Sequence, residues 1–247
     1  MSVLAVDGLR KRFGGVEAVA GVSFSVAPGE MLALIGPNGA GKSTCFNMLN
    51  GQIPADAGRI RLNGTDITGL PPRRIARLGV GRTFQITATF VSMTVRENVQ
   101  TALSAYHRAH WHPWRDAGRH YVAEADALLD QIGLAAQADR AAGLLAYGDL
   151  KRLELAMALA NRPRLLLMDE PTAGMAQAER GTLMQLVRRL TQSHGIAVLF
   201  TEHDMDVVFT VADRILVLNR GRLIAEGDAA TIRANAEVQA IYLGGGA

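Results

Sequence analysis

The chain has 247 residues, enough for one large domain or two small ones, with a core burying roughly 70–75% of the unfolded surface. Its 26 basic and 23 acidic residues leave a net charge of +3, which does not announce a nucleic-acid binder. No apolar run approaches the ~20 residues of a membrane span, residues 1–7 do not resemble a signal peptide, and the single cysteine, Cys45, excludes an internal disulfide. The expectation is a soluble, non-secreted chain from a reducing compartment that cannot cross a membrane alone.

In chain order, Val3–Val6 and Val22–Val26 read as early strands. Met31–Ile35 is a short apolar run that ends in a glycine-rich turn, and a helical stretch starts at Lys42. Arg59–Leu62 reads as a strand, with a turn at Asn63 and Gly64. From about Val95 to Asn161 the patterns are helical, so a helical subdomain is predicted inside an α/β core. Leu165–Met168 and Ile196–Phe200 are apolar enough to be buried central strands. Between them, Leu183, Leu186, Val187 and Leu190 recur at helical spacing and predict one buried helix face. Arg214–Leu218, a turn at Asn219–Gly221 and Arg222–Ala225 predict a hairpin, and residues 244–247 read as an unstructured tail. The predicted organisation is a core of residues 1–94 and 162–228, a helical subdomain 95–161 and a helical tail 229–247.

Gly36, Pro37, Asn38, Gly39, Ala40, Gly41, Lys42, Ser43 and Thr44 fit the pattern G-x-x-x-x-G-K-[ST] between a strand and a helix. Glycines let successive backbone N–H groups turn inward as an anion nest, and the helix N-terminus adds its positive end. Lys42 is expected on the β- and γ-phosphates of a nucleotide, and the Ser43 hydroxyl on Mg²⁺. A dinucleotide fingerprint fits poorly, because the glycines run G-x-x-G-x-G and Lys42 would have no role. Only three basic residues are lysines: Lys11, Lys42 and Lys151, against 23 arginines. With 38 alanines this reads as genomic base-composition bias. None of the three follows Asn, which argues against a guanine-reading N-K-x-D motif, and a kinase-type V-A-I-K lysine is absent.

Leu165–Met168 runs into Asp169 and Glu170. An acid at a buried strand's end is suited to the metal, and the next one can accept a proton from an attacking water. His203 lies just beyond Ile196–Phe200, so it is predicted at the same sheet edge, as a γ-phosphate sensor that positions the water.

Leu145, Ala146, Tyr147, Gly148 and Asp149 begin 24 residues before Asp169 and lead into a helix, a second potential anion site. They resemble the L-S-G-G-Q signature of ATP-binding cassette (ABC) ATPases. The resemblance implies a P-loop α/β fold with an antiparallel β subdomain and an inserted helical subdomain. It implies ATP and Mg²⁺ as ligands, and a head-to-tail dimer with ATP between one P-loop and the other chain's signature. It further implies that Phe13 stacks on adenine, that Gln85 is the Q-loop glutamine near Mg²⁺ and the transmembrane partner, and that Thr172–Ala176 is the D-loop. Gly81–Gln85, Met93–Asn98, Tyr147–Gly148, Glu202–Met205 and Ile224–Gly227 are most similar to branched-chain amino acid importer ATPases, the first of two paralogous subunits. Members for urea, amides or lipopolysaccharide export are near cousins, and a soluble non-transport ABC protein is the rival class. The implied partners are a second ATPase subunit, two permease subunits and, indirectly, a solute-binding protein. The implied place is the cytoplasmic face of a membrane.

Three departures qualify the match. Ala146 lacks the signature hydroxyl, Asp149 brings an acid toward a phosphate, and Ala176 replaces the D-loop acid or amide. An asymmetric heterodimer with one weakened site is therefore expected. His107, His110, His112 and His120 invite a zinc reading, but nearby acids or cysteines do not complete a ligand set, so a solvated or interface segment is expected. Cys45 is expected in the core, and Arg73, Arg74 and Arg77 on a solvated helix face.

Overall fold

The computed structural model describes residues 2–83, 89–107 and 120–243. Two long strands, Leu4–Phe13 (β1) and Val16–Val26 (β2), open the chain as an antiparallel pair. Met31–Ile35 (β3) leads through the glycine turn into the helix Lys42–Leu49 (α1). Ala57–Leu62 (β4), Thr65–Asp66 (β5), Pro72–Arg77 (α2) and Val80–Thr83 (β6) follow. The described elements from Val95 to Leu159 are then helical: Val95–His107 (α3), Val122–Gln131 (α4), two short 3₁₀ turns and Tyr147–Leu159 (α5). Leu165–Asp169 (β7), Gln177–His194 (α6), Ala197–Thr201 (β8) and Met205–Val211 (α7) alternate strand and helix. The chain closes with Arg214–Asn219 (β9), Arg222–Gly227 (β10), Ala229–Ala234 (α8) and Ala236–Leu243 (α9).

These strands build two sheets. One is antiparallel, in the order β2-β1-β4-β5. The other runs β10-β9-β3-β8-β7-β6, parallel except for the β9–β10 hairpin. The parallel strands are apolar at nearly every position because both their faces are covered. Leu32, Leu34, Leu165, Leu167, Ala197 and Leu199 face one core, shared with the antiparallel sheet and α1. Met31, Ile35, Leu166, Met168, Val198 and Phe200 face the other, under the helices. Phe46 and Phe200 are wholly buried, one in each core; such a ring stabilises the fold by about 1.5–3 kcal/mol.

The reading of α6 holds: Leu183, Leu186, Val187 and Leu190 are its buried face. The hairpin at Asn219–Gly221 also forms as read, with Arg220 and Gly221 both at positive φ. Strand β6 escaped the sequence reading. It is a four-residue edge strand holding a glycine and an arginine, so it lacks a periodic signature. Among the described residues no helix is long and apolar enough to cross a membrane.

Candidate functional site

The loop between β3 and α1 owes its path to two glycines. Gly36 and Gly41 sit at φ of 155° and 107°. A Cβ on Gly36 would lie 2.1 Å from the Leu218 carbonyl oxygen, and one on Gly41 2.3 Å from that of Ala18. Any other residue would push the loop off its neighbours. Cys45 N–H makes a bond back to Gly41 O, so the N–H groups before it have no partner along the helix. No acid occupies the first turn of α1 to neutralise that positive end.

Lys42 is buried and folds back over the loop. Its ammonium donates to the carbonyls of Gly36 at 2.6 Å and Pro37 at 3.1 Å. Burial lowers its pKa from the ordinary lysine range, and the Glu170 and Asp169 carboxylates oppose that shift. Cys45, one turn along, is wholly buried, and burial pushes its thiol up to about 12. It stays a protonated core residue, as expected.

Strands β7 and β8 bring the acids and the histidine together. They pair in parallel with Asp169 opposite Thr201. The Thr201 hydroxyl donates to Asp169 Oδ1 at 2.8 Å and accepts from Glu170 N–H at 3.0 Å. Glu170 N–H also reaches the Thr201 carbonyl at 3.2 Å. Glu170 holds φ at 49°, a left-handed conformation that is uncommon outside glycine. That conformation costs about 1–3 kcal/mol and marks sites where the surroundings over-determine the backbone. Glu170 Oε1 lies 2.8 Å from His203 Nε2. A cavity of about 190 Å³ is lined by Ala18, residues 38–44, Glu170 and His203. The phosphate loop, the proposed base and the histidine thus face one space.

Asp169 lies beside that cavity. Arg82, at the end of β6, holds its Nη2 3.7 Å from Asp169 Oδ2 and donates to the side-chain oxygens of Asn47 and Gln52. One hard oxygen donor on Ser43 and another on Asp169 suit Mg²⁺ better than a softer metal. Gln85, the third expected contact, lies outside the described residues.

The signature residues fold as a separate feature and do not line the P-loop cavity. Ala146 is the N-cap of α5, and Leu145 is buried. The Tyr147 hydroxyl donates to the Ala173 carbonyl at 3.1 Å, and its ring lies against Gly174, where a Cβ would come within 3.2 Å. The Asp149 carboxylate is taken up inside the chain. It accepts from Gln137 Nε2 at 2.9 Å and lies 3.6 Å from Arg152. Its negative charge is thereby partly answered within the chain.

Phe13 ends β1 half exposed, with Lys11 Nζ 5.5 Å from the ring centre, and it does not line the cavity. His107 stacks on Tyr121 and lies 3.1 Å from Glu124, a structural tie between α3 and α4. His110 and His112 fall outside the described residues, among which no cluster of three metal-binding side chains occurs. Arg73, Arg74 and Arg77 are exposed on α2. The sequence reading missed Thr201, Arg82 and Glu202 as neighbours of the site. Glu202 was in view only as the residue before His203, and its partner, Thr172, is 30 residues away.

A P-loop, a strand-end acid pair beside a histidine, and a separate glycine turn heading a helix define an ABC-type ATPase. Comparison with known proteins agrees. The ABC transporter family matches residues 19–173, and the branched-chain amino acid ATP-binding cassette transporter family matches residues 222–247. The high-affinity branched-chain amino acid transport ATP-binding protein BraF of Pseudomonas aeruginosa is 41% identical, over 98% of each chain. LivG of Escherichia coli strain K12, described in the same words, is also 41% identical over 98% of each. Among solved structures, the ADP conformation of MJ1267, an ATP-binding cassette of an ABC transporter, superposes with a TM-score of 0.88 at 32% identity, covering 99% of both chains. A nucleotide-free cassette gives 0.86 at 33%, covering 98% of this chain and 99% of that one. The chain belongs to the ABC transporter family of ATP-binding proteins and carries the C-terminal segment of its branched-chain amino acid members.

Proposed function

We propose that this chain is the ATP-hydrolysing subunit of an importer for branched-chain or related amino acids, acting at the cytoplasmic face of a membrane through separate permease subunits. The observation that supports it most is the single cavity shared by Lys42, Ser43, Glu170 and His203. The nearly full-length likeness to BraF and LivG supports the solute class.

The ATP phosphates occupy the nest of residues 36–44. Lys42 exchanges its bonds to the Gly36 and Pro37 carbonyls for the β- and γ-phosphates. This exchange is favourable because a buried ammonium gains two anionic partners. Ser43 and Asp169 would hold Mg²⁺, with Gln85 as a third contact. When bound, the ion neutralises charge developing on the phosphate oxygens. Glu170 takes one proton from the water whose oxygen attacks the γ-phosphorus, as the bond to the β–γ bridging oxygen breaks. His203 holds the Glu170 carboxylate in place and senses the γ-phosphate. Phe13 stacks on the adenine.

Leu145–Asp149 complete the ATP site of a second ATPase subunit. Ala146 lacks the hydroxyl for the γ-phosphate, so we propose a heterodimer in which the site completed by this signature is the weaker one. ATP closes the two subunits and hydrolysis releases them. Replacing Glu170 with Gln is expected to preserve ATP binding and abolish turnover; unchanged turnover removes Glu170 as the base. Loss of labelled leucine uptake on deleting the chain, restored by the wild type and not by Glu170→Gln, tests the solute. Full ATPase activity from the isolated chain refutes the asymmetric pair.

A further inference from the structure

Glu202 is a buried acid that the reaction described above leaves without a task. It is 5% exposed, on the segment between β8 and α7. Every hydrogen bond that defines its place comes from a donor. Oε1 accepts from Thr172 N–H at 2.8 Å and from the Thr172 hydroxyl at 2.7 Å. Oε2 accepts from His203 N–H at 3.3 Å. Burial and the neighbouring Glu170 carboxylate push its pKa up, while the donors from Thr172 and His203 pull it down.

The placement of these partners is what matters. Thr172 lies two residues after Glu170, and Glu202 lies immediately before His203. The register pairing of β7 with β8 ends at Asp169 and Thr201, and the backbone bond past it runs from Glu170 N–H to the Thr201 carbonyl. Beyond that point the two chains diverge into different loops, and ladder bonds no longer hold Glu170 against His203. The Glu202–Thr172 bonds close the gap on the far side of the pair. The Thr201 bonds to Asp169 and Glu170 close it on the near side. The strained φ of Glu170 needs such bracing, because nothing in its own backbone favours it.

We propose that Glu202 is a positioning residue that clasps the loop after Glu170 to the loop of His203 and so fixes the spacing of the hydrolytic pair. It acts through Thr172 and the His203 backbone and does not touch the nucleotide. The proposal rests on the reading of Glu170 and His203 given above. The two bonds from Thr172 to the buried Glu202 carboxylate join the loops and keep the Glu170–His203 contact short. Once the clasp opens, each loop moves by a fraction of an ångström or more, and misplacement on that scale lowers turnover by about ten- to a hundredfold.

The test is ATP turnover by the chain in its assembled transporter, with kcat and KM measured for Glu202→Ala, Thr172→Val, Thr172→Ser and Glu170→Gln. Hydrogen exchange at the Thr172 amide is followed in parallel. Glu202→Ala is expected to lower kcat about ten- to a hundredfold with KM changed by no more than about twofold, and to speed exchange at Thr172. Thr172→Val is expected to lower kcat in the same sense, and Thr172→Ser, which keeps the hydroxyl, to restore it. The double variant Glu202→Ala with Thr172→Val is expected to be no worse than Glu202→Ala alone, because the hydroxyl bond that Thr172→Val removes is already lost in Glu202→Ala. Wild-type kcat in Glu202→Ala overturns the proposal. So does equal impairment of Thr172→Ser and Thr172→Val, or full additivity of the pair. If Glu202→Ala does not fold, the Val and Ser variants at Thr172 decide the matter. Glu170→Gln separates the two ideas: turnover surviving there sinks the assignment of the base, whatever Glu202 does.

Discussion

Thr201→Val is the sharpest test of how the sheet edge holds its acids. Valine matches threonine in its branched shape at this fully buried site, so the change is chiefly the hydroxyl itself. What goes is one hydroxyl with two bonds, to Asp169 Oδ1 at 2.8 Å and from Glu170 N–H at 3.0 Å. Glu170 N–H keeps a second acceptor, the Thr201 carbonyl at 3.2 Å, so its loss is partial. Asp169 loses a donor to a charged group. Its side chain is only 14% exposed, so water replaces little of that bond, and Arg82 remains 3.7 Å away. A hydrogen bond to a charged group is worth about 1.5–3 kcal/mol net, and the remaining partners favour the lower end, about 1.5 kcal/mol. For a chain of this size that is a fall in melting temperature of roughly 3–6 °C. If the same loss reaches the transition state, turnover falls about tenfold. Thermal melts by circular dichroism and ATP turnover by the assembled transporter measure both, with Thr201→Ser as the control that keeps the hydroxyl. A Thr201→Val variant with the wild-type melting temperature and kcat would refute the reasoning.

Three further outcomes are expected. Gly41→Ala forces a side chain to φ 107° and to within 2.3 Å of the Ala18 carbonyl, so it costs about 1–3 kcal/mol in strain alone and weakens binding of a fluorescent ATP analogue; unchanged melting and binding would show that the loop can yield. Tyr147→Phe removes only the bond to the Ala173 carbonyl, at a half-exposed site where water substitutes. Stability is expected to change by about 0.5 kcal/mol while amide exchange around Gly174 quickens, and unaltered exchange counts against the tether. Glu202 supplies the pH test. Its pKa is raised in the folded protein, so folding binds its proton more tightly than the unfolded chain does. That contribution to stability is fully present below the unfolded value and is lost as pH rises from there toward the folded one. Glu202→Gln is therefore expected to gain stability relative to the wild type as urea midpoints are followed upward from about pH 4.5. A constant difference across that range would contradict the shift.

The parts of the site written in adjacent residues were legible from sequence. Gly36 to Thr44 carry their chemistry in one stretch, and glycine at positive φ explains why that stretch is glycine-rich. The apolar runs of β7 and β8 read as buried because residues on both faces are apolar, which few surface segments allow. Strand β6 was not legible, since an edge strand of four residues is specified by its neighbour β7 and not by its own pattern. Nor was the fate of Asp149. An acid in a signature turn looks like a charge facing a phosphate, and only the fold shows Gln137 and Arg152 answering it.

The contact between Glu170 and His203 stands between these cases. Each residue was placed at a strand end by its own local sequence, but their meeting depends on register. Once Asp169 lies opposite Thr201, the residues just past each end emerge side by side. A shift of one residue would turn Thr201 to the other face and remove both of its bonds to the acid pair. Register here is set by cores on both sides of the sheet: Leu167 and Leu199 face one, Met168 and Phe200 the other. The hydrolytic geometry is thus fixed by apolar packing several residues from the chemistry. Thr201 and Glu202 carry that order past the point where the ladder stops.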